Sequence, residues 1–292
     1  MSFEYDKTLD FIEKNILNAP SEIDRKVAIL KFKEKFKDIY DPGKDKWQNP
    51  NYHQYTVTDH MLKTFEESCK IVNGKHKELD FNLTPDQKNA VLAELDGDAG
   101  GISKKTLFVL AMAFHDLDKL FCNKIKKTED GHDWRINPQM HARYDMPSIL
   151  AFNNQYYWTC EPSTDKALDL FNQKVADLIG LPAPAKTYVH NILKNHDNPL
   201  KYIVWEIENG RKNITQLFEE MKAKTPFPLK ELALIYLADQ AGKGNASWLE
   251  HLENISPWRC IFKSMSVERP LSEMDILLKK IKPSTQRNQV ES

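Results

Sequence analysis

Apolar residues recur at helical spacing along most of the chain. Residues 4 to 18 carry Leu9, Ile12 and Ile16 on one side, and Pro20 breaks the pattern. Ser21 has the chemistry of an N-cap, with Asp24 three residues on. It opens a second helix whose apolar positions include Ile23, Val27, Leu30, Phe36 and Ile39. The stretch Asp41 to Tyr52 (DPGKDKWQNPNY) is rich in turn formers and predicts a loop. From Val57 to Val72 the spacing of Val57, Met61, Leu62, Phe65, Cys69 and Val72 predicts a third helix. Residues 73 to 102 are polar and contain DGDAGG, which predicts a connection. The next segment, SKKTLFVLAMAFHDLDKLF at 103 to 121, is apolar nearly all round in its middle, the pattern of a helix in the centre of a core. Residues 122 to 163 are irregular. Helical patterns return at 164 to 180, 185 to 196, 213 to 224, 228 to 243 and 271 to 282, and PSTQRNQVES reads as a frayed tail.

These elements predict an all-α bundle built as a single domain of 292 residues. Residues 1–45 would form an N-terminal accessory helical pair, 46–282 the main helical domain and 283–292 a tail. Ten glycines make a chain poor in tight turns and in phosphate-cradling glycine loops. The four cysteines, Cys69, Cys122, Cys160 and Cys260, include no CxxC pair and read as reduced thiols rather than a disulfide or zinc framework. The opening MSFEYDKTLDFIEKNIL is acidic and amphipathic, unlike a secretory signal, so the expected location is the cytoplasm. No apolar run approaches bilayer-spanning length, so no membrane partner is expected. With 41 basic and 42 acidic residues the net charge is -1, which argues against a general binder of long nucleic acid. A local pocket for one phosphate is compatible with it.

The chemistry concentrates in AFHDLDK, residues 113 to 119. The His-Asp pair occurs three times, at His115-Asp116, His132-Asp133 and His196-Asp197, but only the first ends an otherwise apolar helix. An ionised carboxylate buried there without a partner costs several kcal/mol, a penalty that a bound cation removes. His60 lies beside Met61 near the buried face of its helix. Asp239 sits in the run ELALIYLADQAGK, with no Arg or Lys partner evident beside it. His60, His115, Asp116 and Asp239 offer two imidazoles and two carboxylates, a set suited to a divalent ion with positions left for water and substrate.

The order His, His-Asp, distant Asp resembles the HD-domain metal-dependent phosphohydrolases. The segment NPNYHQYTVTDHMLKTFE, residues 49 to 66, is similar to the opening of the HD modules of CCA-adding and uridylyl-removing enzymes, with their Tyr-His-x-Tyr-x-Val-x-x-His pattern. On this resemblance His60, His115, Asp116 and Asp239 are metal ligands within an HD-type domain. His141 and His196 complete the order His, His-Asp, His, His, Asp of binuclear members, with Asp116 bridging two ions. His190, on the helix of His196, is the competitor for that place. The resemblance implies a phosphomonoesterase or phosphodiesterase in which Asp116, Lys119 and Arg143 serve the reaction. The nucleophile would be a metal-activated hydroxide, and Lys119 and Arg143 would contact phosphate oxygens. The implied cofactor is a divalent metal, expected as two ions, drawn from Mn, Fe, Co, Ni, Mg and Zn. The implied partner is a small phosphorylated substrate, a nucleotide or an RNA end. The chain departs from the family at Asp118, where Gly is usual. The roughly 45 residues before the module are too few for the nucleotidyltransferase domain that precedes such modules, and GKGNAS at 242 to 247 does not fit a P-loop.

The same ligand order also resembles the HD-fold mixed-valent di-iron oxygenases, and a non-catalytic nucleotide-binding HD protein is a third reading. His53 is a lesser candidate for a substrate contact, and His76, His132 and His251 read as solvated. Lys124, Lys126 and Lys127 read as a solvated loop. Trp134, Tyr156, Tyr157 and Trp158 suit base stacking, and core or rim packing at least as well.

Overall fold

The computed structural model describes residues 5–44, 55–121, 164–196 and 229–243. Among the described residues 78% are helical and the sheet has two short strands, so the class is all-α. The helices are α1 (Tyr5–Phe11), α2 (Glu22–Lys35), α3 (Lys37–Tyr40), α4 (Val57–Val72), α5 (Lys77–Asn82), α6 (Pro85–Leu92), α7 (Lys104–Ala113), α8 (Thr164–Phe171), α9 (Ala183–Asn195) and α10 (Leu229–Gly242). Wider π turns extend α1 over Ile12–Leu17 and α8 over Asn172–Ala176. The predicted helices at 213 to 224 and 271 to 282 lie outside the described residues. Among those described, no helix is long and apolar enough to cross a membrane.

Helix α7 is the hub. It is buried from Thr106 to Ala113 and packs against α4 on one side and α9 on another, while α10 lies along α4. The N-terminal segment feeds the same core. Ile12, Ile16, Phe32, Phe36, Ile39 and Tyr40 are buried with Phe65 of α4 and Phe114, which follows α7. Ring centroids lie 4.9 Å apart for Phe32 and Phe65, and 5.4 Å for Phe36 and Phe114, within range of favourable aromatic contact. Ser21 caps α2 as expected, accepting from the Asp24 amide. The face that α2 buries is Arg25, Ala28, Ile29 and Phe32, whereas Ile23, Val27 and Leu30 are exposed. Two apolar stripes compete on this helix. The one continuous with the aromatic cluster wins, and Arg25 joins it because its Nε donates to the Ile16 carbonyl at 2.9 Å.

The long helix expected over 103 to 121 stops at Ala113. A turn through Phe114, His115 and Asp116 leads into a 3-10 segment, Leu117–Phe121. The Ala113 carbonyl, which a continuing helix would spend on Leu117, instead accepts from the Tyr40 hydroxyl at 2.9 Å. The Leu117 amide turns back to the Phe114 carbonyl. Tyr40 also stacks on Phe114 at 5.7 Å. Its removal should therefore be felt at the doublet: Tyr40→Phe leaves a buried carbonyl without its donor and is expected to cost about 1–3 kcal/mol in urea unfolding.

Residues 73 to 102, expected as a plain connection, hold α5, α6 and an antiparallel hairpin pairing Asp98–Ala99 with Ile102–Ser103. Consecutive left-handed glycines, Gly100 and Gly101, make the two-residue turn, so DGDAGG is a hairpin signature. Thr84 and Gln87 form a capping box at α6. His76 is buried rather than solvated. Its Nδ1 accepts from the Glu78 amide, capping α5, and its Nε2 lies 3.5 Å from Glu67. Burial lowers its pKa against the opposing pull of Glu67 and Glu78. The folded chain then binds fewer protons at this residue than the unfolded chain does. Stability is expected to fall as pH drops below about 6.5, and His76→Asn, which keeps a capping oxygen, should flatten that slope in urea midpoints. Cys69 is fully buried and its thiol is pushed up to about 12 by burial, as befits an inert core residue.

Candidate metal centre

Four helices bring five ligand-type side chains to one point. His60 comes from the first turn of α4, His115 and Asp116 from the turn after α7, His196 from the end of α9 and Asp239 from the last turn of α10. None is more than 2% exposed. The Nε2 atoms of His60 and His115 are 3.1 Å apart. His60 Nε2 is 3.1 Å from Asp239 Oδ1 and 3.2 Å from Asp116 Oδ2. His115 Nε2 lies 3.3 Å from Asp116 Oδ2 and 3.4 Å from Asp239 Oδ1. His196 Nε2 reaches Asp116 Oδ1 at 3.3 Å.

Backbone carbonyls orient two of the rings. His115 Nδ1 is 2.9 Å from the Met112 carbonyl and His196 Nδ1 is 3.0 Å from the Leu193 carbonyl. A carbonyl can only accept, so each Nδ1 carries the hydrogen and, in a neutral ring, Nε2 carries the lone pair. That arrangement is the one by which metal-binding histidines are commonly held. Both contacts reach back three residues, to a carbonyl in the last turn of the helix.

The two carboxylates are each met by an ammonium: Lys119 Nζ lies 2.7 Å from Asp116 Oδ2, and Lys243 Nζ lies 3.0 Å from Asp239 Oδ2. Gln240 Nε2 donates to the same Asp239 oxygen at 3.0 Å. For Asp239 burial opposes ionisation, but Lys243 and hydrogen bonds from His115 and His60 prevail and hold it well below the usual carboxylate range. His115 is raised to about 9, because Asp116 and Asp239 outweigh the burial that disfavours its charge. The donor atoms form two overlapping sets, each within 4.8 Å: His60, His115 and Asp239, and His115, Asp116 and His196. Imidazole nitrogen with carboxylate oxygen fits a first-row divalent ion.

The structure thus brings together His60, His115, Asp116, His196 and Asp239. It separates His190 from them, since His190 Nε2 pairs with Asn172 at 2.8 Å. Lys119 is fully buried on Asp116. Asp118, at the place where the resembled family has Gly, is buried and lines a small cleft beside His115 with Leu117, Leu168 and Leu193. His141 and Arg143 lie outside the described residues, as do His53, His132, His251, Lys124, Lys126, Lys127, Trp134, Tyr156, Tyr157 and Trp158. Sequence reasoning missed Lys243, which contradicts the expectation that Asp239 has no local basic partner. The signal was its i, i+4 spacing from Asp239 at the end of the same helix. No family model, curated protein or solved structure matches the chain.

Proposed function

We propose that the chain is a divalent-metal-dependent phosphohydrolase of the HD type, acting in the cytoplasm on a small phosphorylated substrate such as a nucleotide or an RNA end. The observation that carries this reading is the buried convergence of three imidazoles and two carboxylates, with His115 and His196 anchored through Nδ1 so that Nε2 faces the carboxylates. His60, His115, Asp116 and Asp239 would hold one ion, and Asp116 with His196 a second, to which His141 would add a ligand. Bound there, divalent ions would neutralise phosphoryl charge and lower the pKa of a water to the neutral range.

The chain's own residues do the rest. Asp116 offers one oxygen to each side of the cluster, Oδ1 toward His196 and Oδ2 toward His60 and His115. Lys119 holds Asp116 in place, and its fixed positive charge beside the cluster would favour an anionic substrate there. Lys243 and Gln240 engage Oδ2 of Asp239, which leaves Oδ1 toward His60 and His115. The burial of all five ligands keeps bulk water from screening these charges. Arg143 is the further candidate for a phosphate contact.

The test is hydrolysis of bis(p-nitrophenyl) phosphate across Mn, Fe, Co, Ni, Mg and Zn, with Asp116→Ala in parallel. Hydrolysis that needs added metal and vanishes in the variant supports the proposal. A protein that binds metal yet hydrolyses nothing, and consumes dioxygen when loaded with iron, would move the reading to the di-iron oxygenases.

A further inference from the structure

Helices α9 and α10 deliver His196 and Asp239 to the cluster, yet each rests chiefly on a different neighbour, α9 on α7 and α10 on α4. The connection between them, residues 197–228, lies outside the described residues. At the other end of the pair the Tyr188 hydroxyl donates to Glu231 Oε1, joining α9 directly to α10. Both residues are buried, Tyr188 at 9% and Glu231 at 1% exposure. Tyr188 precedes His196, and Glu231 precedes Asp239, by the same eight residues, about 12 Å of helix. The two helices therefore point the same way, held together at one end and meeting the cluster at the other. The hub helix shares this contact. Lys104, its first residue, sets its ammonium 5.9 Å from the centre of the Tyr188 ring, and α7 leads to His115 and Asp116. Three of the four ligand-bearing helices thus converge twice, once at Lys104, Tyr188 and Glu231 and once at the ligands.

We propose that Tyr188 and Glu231 are positioning residues that fix where α9 sets His196 relative to Asp239, and so tune the part of the centre that depends on His196. The inference deepens the metal-centre reading and rests on it. A buried carboxylate is a costly way to hold two helices when apolar packing would serve. What it adds over packing is direction and length, because a hydroxyl–carboxylate bond allows little slip along the helix axes. A rigid element of this kind is what a site tolerant of only small ligand displacements needs.

The test uses the full chain in three versions. Tyr188→Phe removes the donor. Glu231→Gln keeps an acceptor oxygen and is the conservative control. The double variant Tyr188→Phe with Glu231→Met removes the link without leaving a buried orphan, which protects the fold. Two measurements are made on each: the affinities of successive Co2+ equivalents by calorimetry, and the imidazole 1H–15N resonances of His196 in metal-free protein, assigned by their loss in His196→Gln. The double variant is expected to stay folded, to shift the His196 resonances, and to bind one Co2+ equivalent at least tenfold more weakly while the other keeps its affinity. Glu231→Gln should behave as the parent. Unmoved His196 resonances together with parental Co2+ affinities in the double variant would overturn the inference. If the parent chain binds no Co2+, the metal reading fails, and unmoved His196 resonances in the double variant overturn the positioning role separately.

Discussion

Replacing Asp116 by alanine is expected to do two separable things. It should weaken metal binding by more than about 100-fold, since even outer partners of ligands contribute about 10–100-fold. It should also destabilise the metal-free protein, because Lys119 is fully buried with its ammonium 2.7 Å from Asp116 Oδ2. Breaking a buried ion pair by removing one partner typically costs about 3–5 kcal/mol. The two effects part company in the double variant Asp116→Ala with Lys119→Met. That chain has lost both members of the ion pair, so urea unfolding should return part of the lost stability, while metal binding stays lost. Calorimetric titration with Mn2+ or Co2+ and urea melts on the same three proteins decide the matter. If the single variant binds metal as the parent does, Asp116 is an ion-pair partner and nothing more.

That result bears on how the site was read from the sequence. The doublet His115-Asp116 was legible because a carboxylate at the end of an apolar helix demands a partner. His60 and Asp239 were legible because each interrupts a buried stripe. His196 stood out from His190 by lying at a helix end, and the pairing of His190 with Asn172 agrees. What escaped was the supply of countercharge. Lys119 stands in the sequence as a candidate phosphate contact, and its full burial on Asp116 follows from the turn after Ala113, where the Tyr40 hydroxyl, far away in sequence, takes the Ala113 carbonyl. Helix periodicity says nothing about a carbonyl diverted to a distant hydroxyl. The same limit explains α2. Its sequence carries two apolar stripes, and the choice between them is made by the aromatic cluster of Phe32, Phe36, Phe65 and Phe114, not by anything local. His76 was misjudged for a related reason: its cap on the Glu78 amide is local, but its burial beside Glu67 is set by the docking of α5.

A substitution far milder on paper should rival these effects. Gly242→Ala is expected to destabilise the chain by about 1–3 kcal/mol, although alanine is the better helix former by about 1 kcal/mol. Gly242 ends α10 where that helix touches α4, and an added Cβ would sit 2.9 Å from both Cα and Cβ of Thr64, and against its Oγ1. A side-chain tip could swing away, but the Thr64 backbone cannot, so the helices must part. Asp239 is three residues before Gly242 and His60 four before Thr64, so the displacement falls on a pair now 3.1 Å apart. Metal affinity should therefore drop along with stability. Adding Thr64→Ala removes the hydroxyl contact but leaves the clash with Cα, so it should recover only part of each. Urea midpoints and Co2+ titration on the single and double variants read both quantities. A Gly242→Ala protein more stable than the parent would mean that propensity prevails and that α4 and α10 do not approach this closely.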